Sequence, residues 1–243
     1  MAVRRGNIAA MPMRIGVILP TFRESFDDAR TALFEVEAAS LDTAFVYDHF
    51  WPMFHPELPA IAAFPTLGAL SALATSVALG TLVARVGVVD PAVLVRELVT
   101  LKVMNEGRFI AGIGTADKKG AAEYLAYGLG FDDAETRRTE LGLVARCLLE
   151  QGVEVWVGGG ARQTNDLARS LGATLNLWGV APERVHQESL VGPVSWAGNL
   201  PDDAGLARQL VRDLEVAGAT DAVFAWPDSI ERLRAACSGR SAC

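Results

Sequence analysis

The feature that most constrains this chain is an alternation. Eight short apolar or β-branched runs, Arg14–Leu19, Thr43–Tyr47, Val77–Ala84, Arg108–Ile113, Val153–Val157, Ala173–Trp178, Val194–Ala197 and Asp221–Trp226, are separated by stretches of helical period. Runs that are apolar on both faces do not suit a sheet with a solvated side, so they predict parallel strands covered by helices. The helical stretches carry their own punctuation. Phe26, Ala29, Leu33 and Val36 fall at i, i+3, i+7 and i+10 behind a Ser25…Asp28 capping signature. Asp90-Pro91 opens a second helix as N-cap and first helical residue, with Leu94, Leu98 and Leu101 on one face and a stop at Gly107. A third runs from Arg162 to Leu171 and ends at Gly172.

Eight such units in 243 residues come to roughly 30 residues per βα unit, the size and count of a (β/α)8 TIM barrel. The rival, a doubly wound open sheet, needs a glycine-rich fingerprint after its first strand. This chain reads LPTFRES there. No linker, low-complexity tract or composition break interrupts the pattern. Residues 1–243 therefore read as one α/β barrel domain, with 1–12 and 238–243 as flexible ends.

Composition excludes several classes of function. With 51% apolar and 21% charged residues the chain carries enough core to fold. Its net charge of −7 lacks the cationic footprint that phosphate backbones require, so nucleic acid is not expected as a partner. Cys147, Cys237 and Cys243 form neither a zinc spacing nor a disulfide framework, which points to a reducing compartment and no structural metal. Arg4-Arg5 is not followed by a signal-peptide core. Nor does any run reach the ~18 apolar residues of a membrane helix. A soluble, unprocessed cytoplasmic protein with no membrane partner is the expectation.

In a barrel of this type the C-terminal ends of the strands carry the chemistry. TAFVYDHFWP climbs from an apolar strand straight into Asp48 and His49, which places an acid and an imidazole at the rim. Taken alone, the pair serves equally well as a turn cap and a loop hydrogen bond. RFIAGIGTAD brings Thr115 and Asp117 to the same face, and VEVWVGGG brings Gly158, Gly159 and Gly160 ahead of a helix holding Thr164 and Asn165. Glycines admit close backbone approach, and a helix start offers N–H groups to an anion; a plain βα turn is the alternative. Trp178, Trp196 and Trp226 end the last three strands, either walling a flat ring or packing. Lys118-Lys119 near the rim either meets an acidic ligand tail or is a solvated charge pair.

Several longer stretches carry a resemblance. FVYDHFWP, PTLGALSALATSVALGTLVARVG, DPAVLVRELVTLKVMNEGRFIAGIGTAD, YGLGF and EVWVGGGARQTNDLARSLGATLNLWG resemble the bacterial-luciferase-like superfamily. Within it they are most similar to the deazaflavin-dependent oxidoreductases that use coenzyme F420. The similarity runs from about Arg14 to Gly179. It implies a TIM barrel with a bulge ending strand three near Leu82–Arg85, so that Thr81, Ala84 and Arg85 back an isoalloxazine-like ring. It also implies that Gly158, Gly159 and Gly160 hold a phosphate, with Thr115, Trp178 and Gly179 completing the cofactor site.

The chemistry implied by that resemblance is hydride transfer between C5 of a deazaflavin and a carbon of a small organic substrate. His49 exchanges the accompanying proton, Asp48 steers its ring, and Asp117 is the second acid or base. An FMN-dependent monooxygenase and a non-catalytic flavin-binding relative are the alternatives, and a homodimer is expected. Two departures stand out. Gly114-Thr115-Ala116-Asp117 replaces the G-T-G-E common among such proteins, so the acid is one methylene short. The chain also passes almost directly from Cys147 to Glu154, where relatives commonly carry an insertion over the pocket.

Overall fold

The structure, a computed structural model, describes residues 12–116, 118–227 and 229–238. Eight strands, β1 (Arg14–Ile18), β2 (Thr43–Val46), β3 (Ala78–Arg85), β4 (Phe109–Gly114), β5 (Glu154–Gly158), β6 (Thr174–Trp178), β7 (Val194–Gly198) and β8 (Asp221–Ala225), pair in parallel in chain order. β8 returns to β1, with Arg14 opposite Asp221 and Ile18 opposite Ala225, and closes the barrel. Each expected strand is present within two residues of its boundaries. The helices are α1 (Phe26–Ala38), α2 (Ala63–Ser71), α3 (Pro91–Met104), α4 (Ala121–Ala126), α5 (Ala134–Glu150), α6 (Arg162–Leu171), α7 (Pro182–Ser189), α8 (Ala204–Val216) and α9 (Ile230–Cys237). The three expected helices are α1, α3 and α6.

Their ends follow from the residues that punctuate them. Ser25 caps α1 by accepting from Asp27 N–H at 3.0 Å. Asp90 caps α3 by accepting from Ala92 N–H at 2.8 Å, and Pro91 takes the first helical position, where its missing N–H costs nothing. α6 stops on Gly172 at φ +67°, a left-handed conformation that glycine adopts without steric penalty. α5 runs to Glu150 and β5 starts at Glu154, so the short connection expected ahead of strand five is observed. Among the described residues no helix is long and apolar enough to cross a membrane.

Two cores hold the barrel. The larger lies between strands and helices and includes Leu33, Leu67, Leu98, Leu141, Val185 and Leu233. The smaller fills the barrel itself with Ile18, Phe45, Leu82, Ile110, Trp156, Ala197 and Val223. Phe45 and Trp156 meet there at 4.9 Å between ring centroids. The bottom is plugged by charge: Arg14 donates to Asp221 at 2.6 Å and pairs with Glu154, which also accepts from Trp156 Nε1 at 3.0 Å. With the floor filled and sealed, the C-terminal mouth is the end left open among the described residues.

One irregularity shapes that mouth. Thr81 pairs with Ala111 and Ala84 with Ile113, so three steps along β3 match two along β4. This bulge, which contains a cis Leu82–Val83 peptide, lies where the resemblance implied one. It turns Val83 to the mouth, where β4 and β5 carry Gly114 and Gly158. A Cβ on Gly114 would sit 2.7 Å from Val83 Cγ2. Small residues on the neighbouring strands are thus what let the bulge project.

Candidate active site

The β2 exit delivers Asp48 and His49 in opposite directions. Asp48 turns into the wall: its Oδ2 accepts from Arg85 N–H at 2.9 Å and lies 3.8 Å from Arg85 Nε. Burial raises the proton affinity of this carboxyl, and the adjacent Arg85 charge and N–H oppose the rise. His49 turns to the cavity, and its partner is a residue from much further along the chain. Nδ1 of His49 lies 2.7 Å from Oε1 of Glu123 on α4. The other oxygen of Glu123 accepts from Phe50 N–H at 2.7 Å and stands 3.1 Å from Arg85 Nη1. The carboxylate in contact with the His49 ring is therefore Glu123, while Asp48, expected in that place, turns to Arg85.

Glu123 is 2% exposed, and its ionisation has identifiable causes. Burial alone pushes it upward, but the hydrogen bonds from His49 and Phe50 and the charge of Arg85 outweigh burial and hold it below the usual glutamate range. An ionised carboxylate only accepts, so Nδ1 of His49 is the donor in this contact. The imidazole is thereby held through Nδ1 at the cavity edge.

Around it lies a cavity of about 460 Å³, lined by His49, Met53 and Val83 on one side and by the exits of β4 and β5 on the other. That volume is within the ordinary range for cofactor and small-molecule sites. Phe22 stacks on Tyr47 at 5.1 Å, and Tyr47 meets both His49 and Trp178 at 6.3 Å, which forms an aromatic wall beside the imidazole. Burial raises the Tyr47 phenol above its ordinary range, so it stays neutral. The β4 exit is anchored from α5, where Arg137 Nε donates to Thr115 carbonyl at 2.8 Å. Ala116 there takes φ +55°, a left-handed conformation more natural to the glycine of G-T-G-E.

The glycine triplet divides by function. Gly158 makes room for Val83, and a Cβ on Gly159 would lie 2.5 Å from Leu175 and 2.9 Å from Asn165 Oδ1. Gly159 N–H already donates to Asn176 carbonyl at 2.8 Å, and Gly160 N–H to Asn165 Oδ1 at 3.0 Å. Only Gly160, at φ +149°, has open space where a Cβ would go. All three glycines line the cavity, together with Ala161 at the start of α6. No side chain caps α6 at Ala161, which lines the cavity edge.

Of the other expected residues, Arg85, Thr115 and Trp178 line the cavity, with Trp178 half exposed at its rim. Thr81 does not: it is fully buried and its hydroxyl donates to Gly112 carbonyl at 2.7 Å. Ala84 is likewise buried in the outer core, because the bulge sends Val83, not its neighbours, into the mouth. Gly179, at φ +63°, forms the turn beyond Trp178 and is off the cavity lining. Trp196 packs on Phe224 at 5.4 Å and donates to Val180 carbonyl at 2.8 Å. Asp117 lies outside the described residues. Sequence reasoning missed Glu123 and Val83. A glutamate in KGAAEYLAYGLGF carries no local mark that ties it to a histidine 74 residues earlier, and a valine inside a strand reads as core.

Known proteins place the chain in the same frame. The profile of the luciferase-like monooxygenase family matches residues 13–237. An F420-dependent glucose-6-phosphate dehydrogenase of Microbacterium testaceum is 34% identical over 102 residues, 42% of this chain and 30% of that protein. One of the same description from Kineococcus radiotolerans is 32% identical over 133 residues, 54% of this chain and 38% of that protein. The matched stretches thus span about a third of the length of these relatives. Among solved structures, an F420-dependent secondary alcohol dehydrogenase bound to an F420-acetone adduct superposes with TM-score 0.77 at 14% identity, covering 92% of this chain and 97% of that one. The coenzyme F420-dependent tetrahydromethanopterin reductase of Methanopyrus kandleri gives 0.71 at 12% identity, covering 93% and 96%. Those two likenesses establish the shared fold. The profile match covers nearly all of the described chain, and the protein belongs to the luciferase-like monooxygenase family.

Proposed function

We propose that the chain is an F420-dependent oxidoreductase that moves a hydride between the deazaflavin and a carbon of a small organic substrate. The observation that carries this reading is the His49–Glu123 pair, an imidazole held through Nδ1 at the edge of a cavity backed by the Val83 bulge. The residues present fit such a cofactor. Val83 offers an apolar face for a ring, the aromatic wall flanks it, and the uncapped start of α6 beside Gly160 suits a phosphate. When bound, the deazaflavin supplies a ring carbon that accepts or gives a hydride.

The rest of the chemistry falls to the chain's own side chains. In the oxidising direction His49 Nε2 takes the hydroxyl proton of the substrate, and in the reducing direction it returns one. Glu123 holds the ring so that Nε2 stays aimed at the cavity. Val83, Trp178 and the aromatic wall exclude water from the reacting face. The 32–34% identity to F420-dependent dehydrogenases supports the deazaflavin over FMN. A fluorescence titration tests this choice, since half-exposed Trp178 at the rim reports on a ring bound beside it. Saturable quenching by F420, lost in Trp178→Phe, is expected, with FMN at least tenfold weaker, a difference of about 1.4 kcal/mol. Tighter binding of FMN would reverse the assignment.

A further inference from the structure

We propose that Arg85 is a positioning residue whose charge offsets that of Glu123, so that this carboxylate orients His49 without drawing a further proton onto its ring. The inference rests on the reading of His49 as the proton-exchanging group and concerns what sets that group's readiness to act. Arg85 is 3% exposed and comes from the strand end just past the bulge. Its guanidinium lies between two rings, with Cζ 4.9 Å from the Phe50 centroid and 5.4 Å from that of Tyr124. Tyr124 is itself fixed by donating to Val86 carbonyl at 2.7 Å.

None of the three guanidinium nitrogens makes a hydrogen bond within the described residues. Its approach to Glu123, at 3.1 Å from Nη1, is therefore a charge contact and not a directional clamp. A carboxylate hydrogen-bonded to a histidine in a buried site pulls a proton onto the ring, because the imidazolium then forms an ion pair. A cation on the far side of the same carboxylate opposes that pull: it stabilises the anion directly and repels the imidazolium. Glu123 stands between the two, His49 on one oxygen and Arg85 on the other. Among the described residues, the other charged or titratable groups that face the cluster are Tyr47 and Asp48 from the β2 exit and, further out, Glu97 from α3, Tyr124 from α4, and Arg137 and Glu140 from α5.

The test is a histidine side-chain NMR titration of the full chain with no cofactor added. The chain has three histidines, and loss of one signal in His49→Gln identifies the resonance. Arg85→Gln is expected to move the His49 titration midpoint up by roughly one unit or more, the size of shift produced by removing a charge at this range. Arg85→Lys, which keeps the charge, is expected to return it to within about half a unit. Glu123→Gln is expected to move it down by a unit or more, and this arm decides the matter if the Arg85 variants fail to fold.

An unchanged or lowered midpoint in folded Arg85→Gln overturns the proposal, and so does an unchanged or raised midpoint in Glu123→Gln. A structural Arg85, or one that only contacts a ligand, leaves the His49 titration where it is and alters melting temperature or cofactor affinity instead. The readout is independent of whether F420 or FMN binds. Failure of the cofactor assignment therefore leaves this result interpretable.

Discussion

His49→Ala is expected to bind F420 with unchanged affinity and to lose about 10²- to 10⁴-fold in turnover, the range typical of one well-placed general acid–base group. The reason lies in what the side chain touches. Nδ1 is engaged by Glu123 and the ring lies on the cavity edge, while the anion site proposed at the start of α6 draws on other elements. Removing the imidazole therefore deletes proton transfer and leaves the cofactor's own contacts in place. Steady-state rates paired with a binding titration check this. A variant with full activity would remove His49 from the chemistry.

Gly159→Val is expected to damage the fold before it damages cofactor binding. Its side chain would begin 2.5 Å from Leu175 Cδ1, 2.9 Å from Asn165 Oδ1 and 3.2 Å from Asn176 carbonyl. Overpacking of this kind costs about 1–3 kcal/mol. In a chain of this length that lowers the melting temperature by roughly 2–12 °C. It also displaces Asn165, whose Oδ1 accepts from Gly160 N–H at 3.0 Å, so any loss of affinity follows from the disturbed turn. Gly130→Ala, at a position with open space and no left-handed backbone, is the control and should melt with the parent. Thermal unfolding of the two variants side by side gives the answer, and equal melting temperatures would contradict the packing described for the β5 exit.

The barrel was legible because its signals are local. Doubly buried strands such as FIAGIG announce themselves by composition, and α1, α3 and α6 are bracketed by Ser25, by Asp90-Pro91 and by Gly172, whose conformational roles operate within a few residues. Helices α2, α7 and α9 were not singled out, because short segments acquire their helicity from packing on the sheet, whereas α5 and α8 were passed over although Asp133 and Asp203 cap them. The site divides on the same principle. Strand-end positions found His49, Thr115 and Trp178, since topology alone brings them to the mouth. The partner of His49 is set by a tertiary contact, with Glu123 reaching it from α4 while the adjacent Asp48 is drawn off to Arg85. Thr81 and Ala84 were misplaced for a related reason: which residue of a bulge faces inward depends on a register shift of one residue, and side-chain direction alternates along a strand.

The central claim is that this cavity supports hydride transfer to or from a deazaflavin with His49 as the proton partner. Its most direct test mixes the full chain anaerobically with oxidised F420 and a panel of small alcohols, aldoses and sugar phosphates, following the visible absorption of the cofactor and the carbonyl product together. Bleaching of that absorption in step with product, at a rate that falls at least about 100-fold in His49→Ala, is the expected result. Oxygen consumption with reduced FMN and insertion of an oxygen atom into a substrate, with no bleaching of F420 by any member of the panel, would contradict it.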